Sequence, residues 1–512
     1  MSGHDQQTVI DFLGAPVTHG GQKVARVDTH AAAVFLAPGH VLKIKRAVKF
    51  PFLDFSTLEK RKAACEAEIE VNRSFAPAIY KRVVPITRER DGRLAIGGDG
   101  VPVEWAVEMA RFDETQTLDH LAAADRIDAA LADALGRAVA EAHARVPVVH
   151  DFGFVAALTE IVRQNDAELR QSPDLFGADD VAALMRKTHA ALTRLAPLLV
   201  HRERDGFVRR CHGDLHLGNI VLIDGKPTLF DAIEFDERIA TSDVFYDLAF
   251  LLMDLIERRL VSQANIVLNR YLLATARDDN LDALATLPLF MSVRAAIRAK
   301  VTAARRKHAA SPQEAAQSAR DYFALACRLI APPPPCVVAV GGLSGTGKSV
   351  LARALAPHLQ PLPGAVVLRS DVERKRLFNV GETEKLPPAG YAHDVTAKVY
   401  AILAAKAARV IAAGHTALVD AVFAKAEERD AIARAAPDAP FHGLFLTADL
   451  ATRVARVGAR IADASDADAD VARQQEHYQL GRLDWRDVDA SGSPEETLRH
   501  ALSRLSSPGL SR

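Results

Sequence analysis

Cysteine is scarce in this chain of 512 residues, and the few thiols lie far apart in the sequence. They form no CxxC pair, so they suggest neither a zinc framework nor a disulfide framework and fit a reducing compartment. No run of about 18 apolar residues occurs, so no transmembrane helix is expected. Residues 1–14 lack a basic stretch followed by an apolar one, so no signal peptide is expected either. The expectation is a cytoplasmic protein. The cysteines are Cys65, Cys211, Cys327 and Cys336.

An excess of either charge is also missing. Lys and Arg number 64 and Asp and Glu 65, which leaves a net charge of -1. Such a balance provides no chain-wide field to attract nucleic acid or an anionic membrane, so the expected partners are small molecules. Apolar residues make up 49% and charged residues 25%, as in soluble globular proteins. The oligomeric state is left open.

The length indicates two or three domains, because a domain usually holds about 100 to 200 residues. Four successive prolines follow Ala331, and such a run cannot continue a helix or enter a central strand. We therefore predict a first domain over residues 1–330, a linker over 331–335, a second domain over 336–505 and a frayed tail over 506–512. In the first domain, strand-like segments up to about residue 110 precede helical ones over 111–330, which predicts a small and a large lobe.

The segment from His212 to Asn219 reads HGDLHLGN and matches the H-x-D-x-x-x-x-N pattern of kinase catalytic loops. Between Asn219 and Asp231, two apolar stretches flank the turn dipeptide Asp224-Gly225, which predicts a β-hairpin with both residues at its open end. Two oxygen ligands for Mg²⁺ would then converge near the carboxylate of Asp214, which could accept a proton from a substrate hydroxyl. Taken alone, an Asp after Gly is usually a turn residue; the combination favours phosphotransfer.

The segment from Val41 to Lys45 is predicted to be the end of a strand and contains lysines. In kinases, a lysine at such a position holds the phosphates of the nucleotide. Lys43 and Lys45 share one face of the strand, so the sequence leaves the choice between them open. Glu68 lies on a mostly apolar helical stripe, where a carboxylate needs a cationic partner such as Lys43; a surface charge at the edge of the stripe is the alternative. Asp247, in an apolar helix, is predicted to brace the catalytic loop or to occupy a solvated position.

These residues resemble the aminoglycoside phosphotransferase or choline kinase type of protein-kinase-like fold, over roughly residues 25–330. The resemblance implies that Asp214 is the catalytic base, that Asn219 and Asp231 bind Mg²⁺, and that Glu108-Met109 is the hinge that receives adenine. One departure is clear: no G-x-G-x-x-G precedes Lys43, and residues 29–39 stand in its place.

The second half opens with a G-x-x-x-x-G-K-[ST] motif between a strand-like and a helical segment. In this pattern the glycines let backbone N–H groups turn towards phosphates, the lysine reaches the β/γ oxygens and the final hydroxyl binds Mg²⁺. The residues predicted to bind ATP here are Gly342, Ser344, Gly345, Thr346, Gly347, Lys348 and Ser349.

Acidic and basic candidates follow the motif. Asp371 comes just after a predicted strand, where it could receive the substrate hydroxyl, and Arg374 is predicted to bind substrate beside it. Asp420 ends another apolar strand and could hold Mg²⁺ as a Walker-B carboxylate. Either acid could instead be a helix N-cap.

Three arginines lie on one predicted helix face. Arg453, Arg456 and Arg460 are spaced so that they could close over a transferring phosphate, which predicts a catalytic role for Arg453 and Arg456. A solvated arginine face is the alternative.

This half resembles the small P-loop kinases related to gluconate, shikimate and adenylylsulfate kinases and to zeta toxins. Over nearly its whole length, the chain is similar to bacterial proteins described as bifunctional aminoglycoside phosphotransferase and ATP-binding proteins. The resemblance implies an α+β kinase-like unit fused to an α/β P-loop kinase whose parallel sheet is flanked by helices, with ATP and Mg²⁺ as cofactors.

The sequence therefore predicts a tandem kinase that phosphorylates hydroxyl groups of small metabolites. One alternative is a regulatory protein whose P-loop half hydrolyses ATP as a switch while the first half only binds nucleotide. Another is an antibiotic-modifying or toxin-like kinase. Binding of nucleic acid is disfavoured because no basic, aromatic-interleaved stripe occurs.

Overall fold

A computed structural model of the protein describes residues 3–29, 31–50, 53–306, 311–458 and 464–506. The chain divides into two compact units, one formed by Met1–Val181 with Thr188–Asp254 and the other by Ala182–Lys187 with Leu255–Arg512. Arg460 and the end of the predicted tail, residues 507–512, lie outside the described residues. None of the described helices is long and apolar enough to cross a lipid bilayer.

The described strands range from two to nine residues in length. They are β1 (Ala25–Asp28), β2 (Ala32–Leu36), β3 (Val41–Lys45), β4 (Lys49–Phe50), β5 (Leu53–Asp54), β6 (Tyr80–Arg88), β7 (Leu94–Ile96), β8 (Val101–Met109), β9 (Val208–Arg210), β10 (Ile220–Ile223), β11 (Lys226–Leu229), β12 (Thr241–Asp243), β13 (Val337–Gly342), β14 (Val366–Arg369), β15 (Ala417–Asp420), β16 (Phe441–Thr447) and β17 (Arg486–Asp489).

The described helices fill much of the remaining chain. They are α1 (Gly3–Gly14), α2 (Leu58–Arg73), α3 (Leu118–Ala123), α4 (Ala129–Arg145), α5 (Phe154–Leu169), α6 (Ala178–Arg204), α7 (Glu237–Ala240), α8 (Val244–Glu257), α9 (Val261–Thr275), α10 (Asp279–Ala283), α11 (Leu287–Arg305), α12 (Pro312–Leu329), α13 (Lys348–Leu355), α14 (Ser370–Leu377), α15 (His393–Ala412), α16 (Ala426–Ala433), α17 (Leu450–Gly458), α18 (Ala469–Gln474) and α19 (Pro494–Ser506).

The first unit contains an antiparallel sheet with the strand order β1-β2-β3-β8-β6-β7 among the described residues. Strand β3 alternates: Leu42 and Ile44 join an apolar cluster with Phe35 of β2, while Lys43 and Lys45 occupy the opposite face. Helix α2 packs against β3 and β8. The alternation therefore directs both lysines towards the helix that carries Glu68.

The predicted hairpin after the catalytic-loop motif is present. Strands β10 and β11 pair antiparallel, and Asp224 and Gly225 both adopt positive φ angles, +51° and +75°, at the turn. At the open end, the N–H of Phe230 donates to the carbonyl oxygen of Asn219 at 2.9 Å. The backbone of Asn219 is thereby held next to the residue that precedes Asp231.

The second unit contains a parallel sheet with the strand order β14-β15-β13-β16-β17 among the described residues. Strand β13, which leads into the G-x-x-x-x-G-K-S motif, is the central strand and is buried throughout. Val338 and Val340 of β13 pack against Leu351 and Leu355 of α13. Burial on both faces explains why this strand reads as a continuous apolar run.

Helix α9 covers the edge strand of that sheet. The side chain of Asn269 accepts a hydrogen bond from the N–H of Val367 at 2.8 Å and donates to the carbonyl oxygen of Ala365 at 3.1 Å. Asn265 donates to the same oxygen at 3.0 Å. The compact units thus divide before α9, whereas the proline segment predicts a boundary at residues 331–335. The boundary at residues 331–335 stays a prediction, namely that the segments on either side of it fold independently.

Replacing Asn269 with Ala is expected to destabilise the second unit by about 1 to 2 kcal/mol, because the partly buried N–H of Val367 loses its acceptor. Two tryptophans occur, Trp105 and Trp485, one in each unit. In a Trp105→Phe background, urea unfolding followed by fluorescence therefore reports on the second unit. The matched control is Ser262→Ala at an exposed position of α9. Equal unfolding midpoints for the two variants would contradict this role of Asn269.

A buried histidine is expected to make the stability of the second unit depend on pH. The imidazole Nε2 of His415 lies 2.8 Å from the carbonyl oxygen of Gly364, and burial lowers the pKa of His415 from 6.5 to about 4. Because the folded state disfavours the charged form, this contribution is complete above pH 6.5 and is lost as the pH falls towards 4. The loss amounts to about 3 kcal/mol. In the Trp105→Phe background, we expect His415→Gln to lose less free energy of unfolding between pH 6.5 and pH 4 than the protein that retains His415. Equal losses in the two proteins would refute the assignment.

Candidate active sites

The first site is built around the buried carboxylate of Glu68. Its two oxygens lie 2.8 Å from Nζ of Lys43 and 2.6 Å from Nζ of Lys45. Burial alone would raise the pKa of Glu68, but the two ammonium groups outweigh burial and lower the pKa to about 2. The helix glutamate therefore has two cationic partners, and the surface-charge alternative is excluded by its complete burial.

The two lysines differ in their second partner. Nζ of Lys43 lies 2.7 Å from a carboxylate oxygen of Asp231, whereas Lys45 pairs with Glu234. The side chain of Lys43 is 13% exposed and that of Lys45 only 3%. Burial alone would lower the pKa of Lys43, but the carboxylates of Asp231 and Glu68 raise it well above its usual value. This geometry favours Lys43 as the lysine that faces a nucleotide.

The catalytic-loop motif places Asp214 and Asn219 in direct contact. The side-chain amide of Asn219 donates to a carboxylate oxygen of Asp214 at 3.1 Å and to its backbone carbonyl at 3.0 Å. Because the amide nitrogen is used in this way, the amide oxygen points to the other side, where it could bind a cation. The carboxylate of Asp214 is 42% exposed and lies 3.4 Å from Nε2 of His216. It is therefore accessible to an acceptor.

Asp247 supports the backbone of the catalytic loop from the protein interior. Its buried carboxylate accepts hydrogen bonds from the backbone N–H groups of His212 at 3.2 Å and Gly213 at 2.9 Å, and Nε2 of His143 lies 3.2 Å away. Gly213 has a φ of +83°, and a Cβ there would lie 3.1 Å from the Cα of Ala240. The complete burial of Asp247 agrees with a role in supporting the catalytic loop and not with a solvated position. The contact with His143 was not expected from the sequence.

The backbone of Asp231 and Ala232 is held by two side chains that sequence reasoning did not assign. The φ of Asp231 is +59°, an unusual conformation for a residue other than glycine. The hydroxyl of Tyr80 accepts a hydrogen bond from the N–H of Asp231 at 3.1 Å. The amide of Asn72 exchanges two hydrogen bonds with the backbone of Ala232, at 2.8 and 3.1 Å. A polar side chain on the apolar stripe of α2 was the available signal for Asn72.

Glu108 and Met109 end β8, directly opposite the start of β3. Met109 pairs with Val41 in the sheet, and the carboxylate of Glu108 accepts a hydrogen bond from Nε of Arg82 at 2.7 Å. The structure thus places the two residues where the strand leaves the small lobe. Their contact with adenine stays a prediction.

The second site begins with the glycine-rich loop between β13 and α13. Gly345 and Gly347 have φ angles of +88° and +91°, and a Cβ on Gly345 would lie 2.4 Å from the carbonyl oxygen of Arg453. Only glycine fits there without displacing backbone. Nζ of Lys348 donates to the carbonyl oxygen of Leu343 at 3.1 Å, which folds the lysine back over the loop.

Ser349 and Asp420 meet at the mouth of this loop. The hydroxyl of Ser349 donates to a carboxylate oxygen of Asp420 at 2.6 Å. Asp420 is the last residue of β15 and pairs with Val340 of the central strand, which explains how two positions far apart in sequence come together. Asp420 is not a helix N-cap, because the next helix begins at Ala426.

Asp371 and Arg374 project from α14 towards the same mouth. Asp371 lies in the first turn of the helix, whose N-cap is Arg369, so Asp371 is not an N-cap either. Burial and the neighbouring carboxylate of Asp420 raise the pKa of Asp371. The guanidinium of Arg374 donates to the carbonyl oxygen of Gly390 at 2.8 Å and stacks over the ring of Tyr391 at 5.1 Å.

The two described members of the predicted arginine face, Arg453 and Arg456, have different surroundings. Arg453 is buried, donates from Nε to the carbonyl oxygen of Ser344 at 3.0 Å and pairs with Glu476. Its guanidinium therefore supports the glycine-rich loop from behind and is not among the groups that line the cavity. Arg456 does line the cavity, and it donates to the carbonyl oxygen of Ala490 at 2.6 Å. Helical spacing identified a shared face but not which residue faces the loop.

A cavity of about 1040 Å³ connects these groups. The glycine-rich loop forms one end, and Asp371, Arg374, Arg456 and Asp466 contribute to the walls. The volume is close to the upper limit of the usual range for small-molecule pockets.

Two family models match the chain. Residues 46–285 match the model described as the phosphotransferase enzyme family, and residues 337–481 match the model described as an AAA domain. The chain therefore carries a kinase-like phosphotransferase domain followed by a P-loop domain with a parallel sheet, which confirms the fold class predicted from the motifs.

Similar proteins cover either nearly the whole chain or a part of it. The uncharacterized proteins Rv2004c of Mycobacterium tuberculosis and Mb2027c of Mycobacterium bovis are each 28% identical over 488 residues, which is 93% of this chain and 94% of the relative. A choline/ethanolamine kinase family protein from Mesorhizobium loti is 13% identical and covers 63% of this chain and 99% of its own, with a TM-score of 0.39. A gluconokinase from Sinorhizobium meliloti is 20% identical and covers 34% of this chain and 91% of its own, with a TM-score of 0.25.

Proposed function

We propose that the protein is a tandem ATP-dependent kinase in which each domain transfers a γ-phosphoryl group to a hydroxyl of a small metabolite. The observation that supports the proposal is that each domain brings a lysine and several oxygen-bearing side chains together, and we assign them to phosphate, to a metal and to the acceptor. In the first domain these are Lys43, Asn219 with Asp231, and Asp214. In the second they are Lys348, Ser349 with Asp420, and Asp371. Phosphoryl transfer depends mainly on positioning and charge neutralisation, which these groups supply.

In the first domain, Asp214 is the proposed base. Its exposed carboxylate would accept a hydrogen bond from the acceptor hydroxyl and take up the proton as the phosphoryl group transfers. Its bond from Asn219 fixes the carboxylate orientation. The amide oxygen of Asn219 and the carboxylate of Asp231 would hold Mg²⁺, whose charge neutralises the phosphate oxygens when it is bound. Lys43, fixed by Glu68, would contact the phosphates.

In the second domain, the glycine-rich loop and the N-terminus of α13 would surround the phosphates with backbone N–H groups. Ser349 and Asp420 form the donor pair that would hold Mg²⁺, since a hydroxyl and a carboxylate are ligands that this ion accepts. Asp371 would take the proton of the acceptor hydroxyl.

The test is transfer of label from γ-labelled ATP to small molecules of a cytoplasmic metabolite extract by the full-length protein. The proposal predicts labelled, phosphorylated metabolites. Release of the label as inorganic phosphate alone would favour the regulatory alternative, in which the P-loop domain acts as a switch. A panel of aminoglycosides in the same assay addresses the antibiotic-modifying alternative.

A further inference from the structure

Arg369 lies between the two groups that would hold Mg²⁺ in the P-loop domain. One terminal nitrogen of its guanidinium donates to the hydroxyl oxygen of Ser349 at 3.0 Å, and Nε donates to the carboxylate of Asp420 at 3.3 Å. Arg369 ends β14 and pairs with Asp420 in the parallel sheet, so the backbone register sets this contact. The three side chains form a closed ring of hydrogen bonds.

Two of the three ring members are buried, and the third, Ser349, is half-buried at the cavity. Arg369 is 9% exposed and Asp420 only 4%. A buried carboxylate requires a compensating cation, and Arg369 supplies it. The hydroxyl of Ser349 gives its proton to Asp420 and accepts from Arg369, so its donor and acceptor roles are consistent. The guanidinium thus provides positive charge at the same two oxygen atoms that a bound metal ion would contact.

We propose that Arg369 is an internal counter-cation that holds Ser349 and Asp420 when no metal is bound and competes with Mg²⁺ for them. The inference rests on the proposed function, because it requires the P-loop domain to bind a magnesium nucleotide. Two consequences follow. Without metal, Arg369 neutralises Asp420, so the phosphates of a nucleotide meet less repulsion. With metal, the guanidinium must leave the two oxygens, which weakens the apparent affinity for Mg²⁺.

Removing the guanidinium should therefore make nucleotide binding more dependent on metal. In Arg369→Gln the charge of Asp420 would face the phosphates without compensation when metal is absent, and Mg²⁺ would meet no competitor when present. A unit charge a few ångströms away corresponds to at least about a tenfold change in affinity near a protein surface. We expect the ratio of the nucleotide Kd in EDTA to that in excess Mg²⁺ to rise at least about tenfold.

The experiment is calorimetric titration of the full-length protein with a non-hydrolysable ATP analogue, once in EDTA and once in excess Mg²⁺. The binding component that disappears in Lys348→Ala belongs to the P-loop domain. Arg353→Gln, at an exposed position of α13, is the matched control and should keep the wild-type ratio. Arg369→Lys retains the charge and should stay closer to wild type than Arg369→Gln. Fluorescence of Trp485 in the Trp105→Phe background confirms that each variant is folded.

The outcomes distinguish a failure of the inference about Arg369 from a failure of the proposed function of the P-loop domain. A Kd ratio for Arg369→Gln within about twofold of the control would mean that Arg369 only terminates a strand, and would overturn the inference. An equal rise in Arg369→Lys and Arg369→Gln would also overturn it, because the charge would then be irrelevant. If the wild-type protein shows no component that is sensitive to Lys348→Ala, the proposed function of the P-loop domain fails, and the inference fails with it.

Discussion

The Asp214→Asn variant is expected to lose about 1000-fold or more of the acceptor phosphorylation by the first domain while it still binds nucleotide. A positioned general base contributes about 100- to 10,000-fold to such a reaction, and an amide cannot accept the proton. The substitution preserves shape, and the new amide oxygen can still accept the hydrogen bond that Asn219 donates at 3.1 Å. The loss would therefore be chemical and not structural.

The measurement is kcat for label transfer in a Lys348→Ala background, so that the remaining activity belongs to the first domain. Asp224→Asn is the matched control, because Asp224 lies at the exposed turn of the β10–β11 hairpin and Asn tolerates its positive φ. The control should retain its activity. If Asp214→Asn were as active as the control, the assignment of the base would be wrong.

The Lys348→Ala variant is expected to lose nucleotide binding and transfer in the second domain and to leave the first domain active. The ammonium group already lies over the glycine-rich loop through its bond to Leu343, so it is positioned before the nucleotide arrives. Removing one such preorganised cation should reduce transfer by about 100-fold or more. Lys398→Ala, at an exposed position of α15, is the control. Transfer by the second domain is measured in an Asp214→Asn background. If this transfer survived Lys348→Ala, the assignment of Lys348 to the nucleotide site would be wrong.

The features that are correctly predicted from the sequence are each encoded by contiguous residues. The hairpin after the catalytic loop depends on the Asp224-Gly225 turn and two short apolar stretches, all local signals. The glycine-rich loop likewise combines a fixed spacing with the strand before it and the helix after it. Such motifs need no knowledge of the rest of the chain, which is why their elements were recovered from residues alone.

The choice between Lys43 and Lys45 illustrates what local patterns cannot decide. A strand repeats every two residues, so both lysines point to the same side. Their difference arises from Asp231 and Glu234, which are almost 190 residues further along the chain. A similarly long separation in sequence conceals the role of Asn72, because its partner Ala232 is 160 residues away.

Arg453 and Arg369 show the same limit in the P-loop domain. Helical spacing placed Arg453 and Arg456 on one face, but the packing of α17 turns Arg453 towards the carbonyl oxygen of Ser344, 109 residues earlier. Arg369 ends a strand in an otherwise apolar stretch, and only the parallel pairing of β14 with β15 brings it to Asp420. The prolines after Ala331 likewise mark a break in helical structure, but they carry no information about the sheet on which α9 packs.

The most direct test of two separate nucleotide sites is the number of nucleotides that one chain binds. Titration of the full-length protein with a non-hydrolysable ATP analogue in excess Mg²⁺ should give two equivalents. Lys348→Ala should remove one of them, and Lys43→Met, in which Lys45 still neutralises Glu68, should weaken the other. A single equivalent in the wild-type protein, or one substitution that abolishes both, would contradict the account.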